Sequence, residues 1–527
     1  TYYYAFYSEN FSYYSSSVTA NATTQAPAPT GPTINATSGV VTSSPGSGTS
    51  GYVGNTVTIN GTALNTVTTV KVGGVNGTAV TIVSQTATSL TFNAINAGGQ
   101  IYVLNAGGSA TSTESYTNLG YISSATGDWN TNGTWLNGSV PPASAAVTIA
   151  HDVTVNTAVT NAPNSVTVNN AKSLSFGSGG AITISTLTIT GTVDMTSGGT
   201  LNIAASGTFT NNGTFTRGAG TVNFAGAGTV SGSVATTFNN VTINTGAFTL
   251  TTIPTIDSVF RINGGYLATQ SPRYSSNSTL FYNTPYNRYN EWSAVGVGTI
   301  GTTPGYPNNV TINTGTVSVL NGDAGTARAI AGNLLVASGA TFSTGALNAA
   351  VTIAGNITVN GTFSMSTSSG AVKCANFTNS TGATTTLSSS VGGDLEITGS
   401  LVDNGTFNSN SRAIFFTGSG VQDISGSGTF NIDYIVMNKP SGRVRMLNNL
   451  LCEGPNGGNA LSFTSNKDTL ELNGYTLTLG KSAITSTITG SGIIRGGNTS
   501  SISILGTGAL GTINFDQSNA GSTNALS

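Results

Sequence analysis

From Ala146 to about Thr252, apolar residues alternate with Thr, Asn or Ser for a few positions, a Gly or Asn-Gly step intervenes, and the alternation restarts. Ala146-Val-Thr-Ile149, Ala181-Ile-Thr-Ile184, Thr186-Leu-Thr-Ile189, Thr200-Leu-Asn-Ile203 and Thr221-Val-Asn-Phe224 are instances. A period of two puts alternate side chains on opposite faces of a pleated strand, so each stretch predicts a short strand with one apolar face. No helix presents one apolar face from this pattern. Strands so short bury too little alone and must stack on copies of themselves, which predicts a solenoid whose every coil covers the next.

Internal echoes extend the prediction. Asn239-Asn-Val-Thr-Ile-Asn-Thr-Gly246 recurs unchanged as Asn308-Asn-Val-Thr-Ile-Asn-Thr-Gly315, Gly220–Gly232 is echoed by Arg412–Gly426, and Asn-Gly-Thr-Phe begins at Asn212, Asn360 and Asn404. Residues 147–527 are therefore expected to form one long right-handed parallel β-helix. Coils of roughly 20–25 residues give about 14–18 of them and a length of about 65–90 Å. Residues 266–307 interrupt the pattern with Arg273, Tyr274, Tyr282, Tyr286, Arg288, Tyr289, Glu291, Trp292 and Tyr306, a lateral insertion or an elaborated coil. Either the rings cover one side of the stack, with Arg288 and Glu291 paired, or Tyr282, Tyr286, Tyr289 and Trp292 form a glycan-binding platform, since flat rings flanked by hydrogen-bonding groups suit sugar faces.

Upstream, the pattern divides into smaller modules. Residues 118–146 carry Trp129 and Trp135, which predict a plug on the open end of the stack. Residues 33–117 offer six strands at sandwich spacing: around Ile34, 52–61, 67–74, 79–83, 89–92 and 99–107. Residues 27–32 form a Pro-rich linker, and 1–26 an aromatic hairpin turning near Glu9-Asn10-Phe11.

Composition narrows the chemistry. Only 6% of the 527 residues are charged, the net charge is -2, and Gly numbers 70 while 37% of residues are hydrophobic. That mixture suits hydroxyl-covered β surfaces and lacks the clustered Lys and Arg that nucleic acid or an anionic membrane needs. No apolar run approaches a membrane span, so no membrane insertion is expected. The cysteines, Cys374 and Cys452, fall three or four coils apart, beyond disulfide reach, and read as buried small apolar residues. With a single histidine, His151, and no Cys-x-x-Cys, the chain offers no usual zinc site, and no cofactor is expected. Glycosidase chemistry needs paired carboxylates. Asp394-Leu-Glu396 is the one such pair on a strand face, and His151-Asp152 reads as a turn or cap, so the chain is expected not to be an enzyme.

Several stretches resemble known families. Thr1-Tyr-Tyr-Tyr4 and Ser17-Val-Thr-Ala20 resemble the last two strands of a fibronectin type III domain. Gly54-Asn-Thr-Val-Thr-Ile-Asn-Gly61, Val70-Lys-Val-Gly-Gly74 and Val103-Leu-Asn-Ala-Gly107 resemble a TIG module, which implies an immunoglobulin-like sandwich serving as spacer or interaction arm. The whole arrangement resembles the large adhesins and filament proteins of Bacteroidota exported by type IX secretion. That resemblance implies a cell-surface location, partners among copies of itself, other surface proteins or surface polysaccharide, and O-glycans at Asp-Ser/Thr-apolar positions, here Ser258 and Thr469. It also leads us to expect chain beyond both ends, or a strand donated by a neighbouring subunit. A carbohydrate-binding or carbohydrate-active β-helix is one alternative. An ice-binding solenoid is another: it needs one face of aligned Thr-x-Thr pairs, and Thr186-Leu-Thr188 and Thr476-Leu-Thr478 are too irregularly spaced along the chain to promise it.

Overall fold

The computed structural model is all-β, with 48% of residues in strands and 2% in helix. It describes residues 2–6, 9–10, 13–14, 18–22, 25–454, 459–480, 487–497, 499–504 and 514–515. Two compact units emerge: Thr1–Ser124 with Trp135–Ser139, and Ala125–Thr134 with Val140–Ser527.

In the first unit, Tyr2–Phe6 runs antiparallel to Val18–Ala22, as the hairpin reading expects. The rest consists of two sheets, largely antiparallel. One orders Thr78–Val80, Thr69–Val72, Gly99–Asn105, Gly108–Asn118 and Ser50–Gly51; the other orders Ile82–Gln85, Ser89–Asn93, Thr56–Thr62 and Thr33–Ile34, with Val40–Thr42 also on Thr56–Thr62. Val57, Ile59, Leu90 and Phe92 from one sheet share a core with Val70, Val72, Ile101, Val103 and Tyr116 from the other. Gly108–Asn118 lies outside the six expected strands. Its inward positions include Ser112, whose buried Oγ accepts the Ile101 N–H at 2.8 Å and donates to the Glu114 carbonyl at 2.6 Å, so it shows no apolar alternation.

The second unit is a parallel β-solenoid of about 17 turns. One ladder is continuous from residues 181–184 to Asn514–Phe515, each strand pairing in parallel with its counterpart one coil on. Its inward residues Ile182, Leu201, Val222, Val241, Phe260 and Leu280 succeed one another every 19–21 residues. The step from Leu280 to Val310 then takes 30, so the aromatic segment enlarges a single coil. Beyond it, Tyr286–Asn287, Thr316–Ser318, Thr341–Ser343, Thr362–Ser364, Thr384–Thr386, Thr406–Asn408 and Thr429–Asn431 form a second sheet, and the strands from Arg328–Ile330 to Thr487–Thr489 a third. At strand spacing, about 17 turns stack to roughly 80 Å.

Alternation does what the sequence predicts: Val147, Ile149, Val166, Val168, Leu187 and Ile189 point inward and are buried, while the Thr and Ser between them face out. The filling is aromatic where space allows. Phe342 stacks on Phe363 at 5.3 Å, and Phe377 meets Phe363 edge-on at 5.5 Å and Phe407 at 6.1 Å. Cys374 and Cys452 are buried free thiols, and burial pushes both well above the ordinary thiol pKa.

Corners, where the chain leaves the ladder, are tied by asparagine. Asn309, Asn333 and Asn376 each accept a backbone N–H from the next coil, that of Asn333, Asn356 and Ser400, at 2.9, 2.8 and 2.7 Å. At another corner the side-chain amides of Asn263, Asn283 and Asn313 donate to Asn244, Asn263 and Asn283 at 2.8, 3.2 and 2.7 Å. The repeated octapeptide supplies both ends of this ladder, Asn244 and Asn313, three coils apart.

Phe363 is fully buried between two rings. Phe363→Ala leaves a void that neighbouring coils cannot close, and is expected to cost about 3–5 kcal/mol, measured by urea denaturation; a loss below about 1 kcal/mol would mean the lumen collapses around it.

Candidate functional site

The enlarged coil gathers the densest side-chain chemistry. Tyr282 ends the Thr279–Tyr282 strand with its ring inward, and a short helical turn, Asn290–Trp292, folds Glu291 back beneath it. Glu291 is fully buried, and its carboxylate accepts the Tyr282 hydroxyl at 2.9 Å, the Tyr286 hydroxyl at 3.4 Å and the Tyr289 N–H at 2.8 Å. Tyr274 donates to the Glu291 carbonyl at 2.8 Å, and the Trp292 indole donates to the Ala329 carbonyl at 2.8 Å. Burial raises the Glu291 carboxyl; the hydrogen bonds and nearby Arg288 act against it. Burial and the Glu291 charge push the Tyr274, Tyr282 and Tyr286 hydroxyls up.

This geometry corrects two expectations. Arg288 does not pair with Glu291: it and Arg328 both bind Asp323, each arginine side chain almost wholly buried. Burial opposes ionisation of Asp323, but the two guanidiniums outweigh it and hold the carboxyl below its usual range. Nor do Tyr282, Tyr286, Tyr289 and Trp292 make an exposed, coplanar platform. Tyr282 and Trp292 are 0% exposed, Tyr282 tilts 40° from Tyr286, and Tyr286 tilts 64° from Tyr289. The flattest pair is Tyr266 on Tyr289, at 4.6 Å and 29°. Tyr274, Tyr282, Trp292, Glu291, Arg288 and Arg328 form the interior of the large coil, while Tyr266, Tyr286, Tyr289 and Asp323 are half-buried at its margin.

The tryptophan plug is also divided. Trp129 belongs to the solenoid unit: it follows Gly127–Asp128, the first strand of its sheet, and its backbone N–H donates to the Thr154 carbonyl at 2.8 Å. Trp135 belongs to the other unit, bridged to Ser123. Both are buried.

The candidate acids are spent between coils. Glu396 pairs with Lys373 at 2.6 Å and accepts the Thr417 hydroxyl at 3.3 Å, while Asp394 accepts the Ala413 N–H at 2.8 Å. Asp152 accepts both the N–H and the hydroxyl of Ser173 at 2.9 Å. Of the glycan positions, half-buried Ser258 follows Asp257, which pairs with Arg217 at 2.8 Å. Half-buried Thr469 follows fully buried Asp468, whose carboxylate takes the N–H groups of Lys439, Thr464 and Ser465 at 2.8–2.9 Å.

No family model matches the chain, and no curated protein and no solved structure matches it.

Two buried polar inclusions escaped the sequence reading, because each interrupts an apolar alternation with a single residue. Thr385 occupies an inward position between Phe363 and Phe407 and donates to Asn379, which donates at 2.8 Å to Asp403, fully buried. Gln422 likewise sits inward; its amide donates to the Ile397 and Gly399 carbonyls at 3.0 and 2.6 Å, and its oxygen accepts Lys439 Nζ. Burial lowers the Lys439 ammonium to about 8, with Asp468 opposing the shift.

Two substitutions test these assignments. Glu291→Ala strands the Tyr282 and Tyr286 hydroxyls in the interior and is expected to cost about 3 kcal/mol, with faster hydrogen exchange over 282–292; Glu291→Gln, which keeps an acceptor, should lose less than half of that. At Asp403, burial raises the carboxyl in the folded state, so as pH rises above the ordinary aspartate range the unfolded chain releases this proton first and stability falls until the folded carboxyl also ionises. Asp403→Asn keeps an acceptor for Asn379 and Gly405, and is expected to gain about 1 kcal/mol at pH 7 and to flatten this fall in urea titrations; a loss of stability at pH 7 would mean that the charge itself is stabilising.

Proposed function

We propose that this chain is an extracellular structural protein, a rod-like segment of a cell-surface adhesin or filament, with no catalytic role. The observation that carries the reading is the unbroken inter-coil ladder from residues 181–184 to Asn514–Phe515. A stack in which each coil is the template for the next transmits load along its axis through parallel rows of hydrogen bonds, and it grows by adding coils. The acids offered by the sequence for catalysis support it too, since Asp152, Asp394 and Glu396 hold neighbouring coils together. The resemblance to Bacteroidota adhesins adds the surface location, an immunoglobulin-like spacer module at 33–117, partners among copies of itself or other surface proteins, and glycans on Ser258 and Thr469.

Immunogold labelling of intact source cells with antibody raised against the purified chain tests it. Label on the surface of unbroken cells is expected; label that appears only after lysis would sink the reading.

A further inference from the structure

In the coils from Thr316 to Asn408 the strand that follows the continuous ladder carries a second kind of order. Thr316, Thr341, Thr362, Thr384 and Thr406 pair in direct succession, with Thr429 next in backbone register, and no bulge interrupts the series. Two residues along each strand runs a parallel polar column, Ser318, Ser343, Ser364, Thr386 and Asn408, in which the three serine hydroxyls and the Asn408 side chain also take part in local turn hydrogen bonds, so the free hydroxyls are those of the threonine column. Between the columns, Val317, Phe342, Phe363, Thr385 and Phe407 point inward and are buried. In the solenoid's first half the strand after the ladder carries similar outward pairs: Ser165 and Thr167, Thr186 and Thr188, Thr208 and Thr210, Thr229 and Ser231 lie in successive register, with Thr210 and Ser231 bonded directly at 2.9 Å, and Ala247 and Tyr266 then separate this series from the later one. Thr186-Leu-Thr188 thus stands in register with its neighbours, whereas Thr476-Leu-Thr478 belongs to a separate sheet between Leu450–Cys452 and Ser501–Ile504.

We propose that this hydroxyl lattice is a binding face for ordered water, and that its ligand is the surface of an ice crystal. The columns repeat at about 4.8 Å between coils and lie about 6.6 Å apart along the strand. Two hydrogen bonds of about 2.8 Å meeting at a tetrahedral water span about 4.5 Å, so one water bridges each neighbouring pair of threonine hydroxyls with little distortion. Among the described residues, the hydroxyls of Thr316, Thr341, Thr362, Thr384 and Thr406 form no hydrogen bond within the protein, which leaves them to that water. Threonine is stiff about its first side-chain torsion, and the rings beneath hold the strands in place. The lattice is therefore ordered before it meets its ligand, and little entropy is lost on contact. A polysaccharide face fits less well: stacking on sugar needs outward rings, and the rings of these five strands, Phe342, Phe363 and Phe407, face the lumen.

The test is growth of ice grains in a frozen sucrose solution containing the full chain. Micromolar protein is expected to arrest grain growth. Thr362→Tyr, which raises a ring from the middle of the lattice, should require at least about tenfold more protein, whereas Thr352→Tyr, an outward position on a different sheet, should behave as the unaltered chain. Should Thr362→Tyr fail to fold, as circular dichroism would report, the near-isosteric triple variant Thr341→Val, Thr362→Val, Thr384→Val removes the hydroxyls and should weaken the arrest by about threefold or more. The proposal is overturned if the unaltered chain leaves grain growth unchanged, if Thr352→Tyr loses as much as Thr362→Tyr, or if the chain instead sediments with microcrystalline cellulose and has no effect on ice. None of these outcomes depends on where the protein resides, so the rod reading stands or falls separately.

Discussion

Every feature of the solenoid depends on one constraint: a coil of about 20 residues with three- or four-residue strands cannot bury its own apolar side chains, and is stable only when another coil lies against each face. Parallel backbone ladders satisfy the peptide groups of the strands between coils, and alternation sends one row of each strand to the lumen. Register is therefore set by burial. A slip of one residue would turn Val310 and Ile312 outward and Thr311 inward, which is why inward residues succeed one another along the whole ladder although loop lengths vary.

Corners present the complementary difficulty. There the chain leaves the ladder, and backbone groups would go unpaired. Asn309, Asn333, Asn356 and Asn376 meet this by accepting backbone N–H groups from the coil above, while the Asn244-Asn263-Asn283-Asn313 series bonds amide to amide. The same economy explains the fate of the scarce acids. Asp152, Asp394 and Asp468 each accept an N–H from a neighbouring coil, and Asp403 accepts that of Gly405 within its own turn, so the carboxylates act as caps at turns and between coils.

The enlarged coil obeys the constraint differently. Adding about ten residues between Leu280 and Val310 creates a space that aliphatic side chains of normal coils do not reach. Tyrosines and a tryptophan fill it, and their polar ends bring with them Glu291, which accepts the tyrosine hydroxyls, while Arg288 and Arg328 both bind Asp323. Of the residues that read as a patch of binding chemistry, Tyr282 and Trp292 are interior and Tyr286 and Tyr289 lie half-buried beside them.

The strands, the solenoid, the direction each Thr and Val faces and the buried thiols were legible in the sequence, because they follow from local alternation and from the need of short strands for partners. The unchanged recurrence of Asn239–Gly246 at Asn308–Gly315 even marks its place on one ladder. Partnerships across coils were not legible. Arg288 lies three residues from Glu291 but bonds Asp323, and Gly108–Asn118 is a strand through its pairing with Gly99–Asn105 rather than through any alternation of its own. The threonine column was hidden for the same reason: its members are 25, 21, 22 and 22 residues apart, irregular along the chain and aligned in space. Corner loops absorb the differences in length, and only inter-coil hydrogen bonding, a tertiary interaction, decides which residues stand side by side.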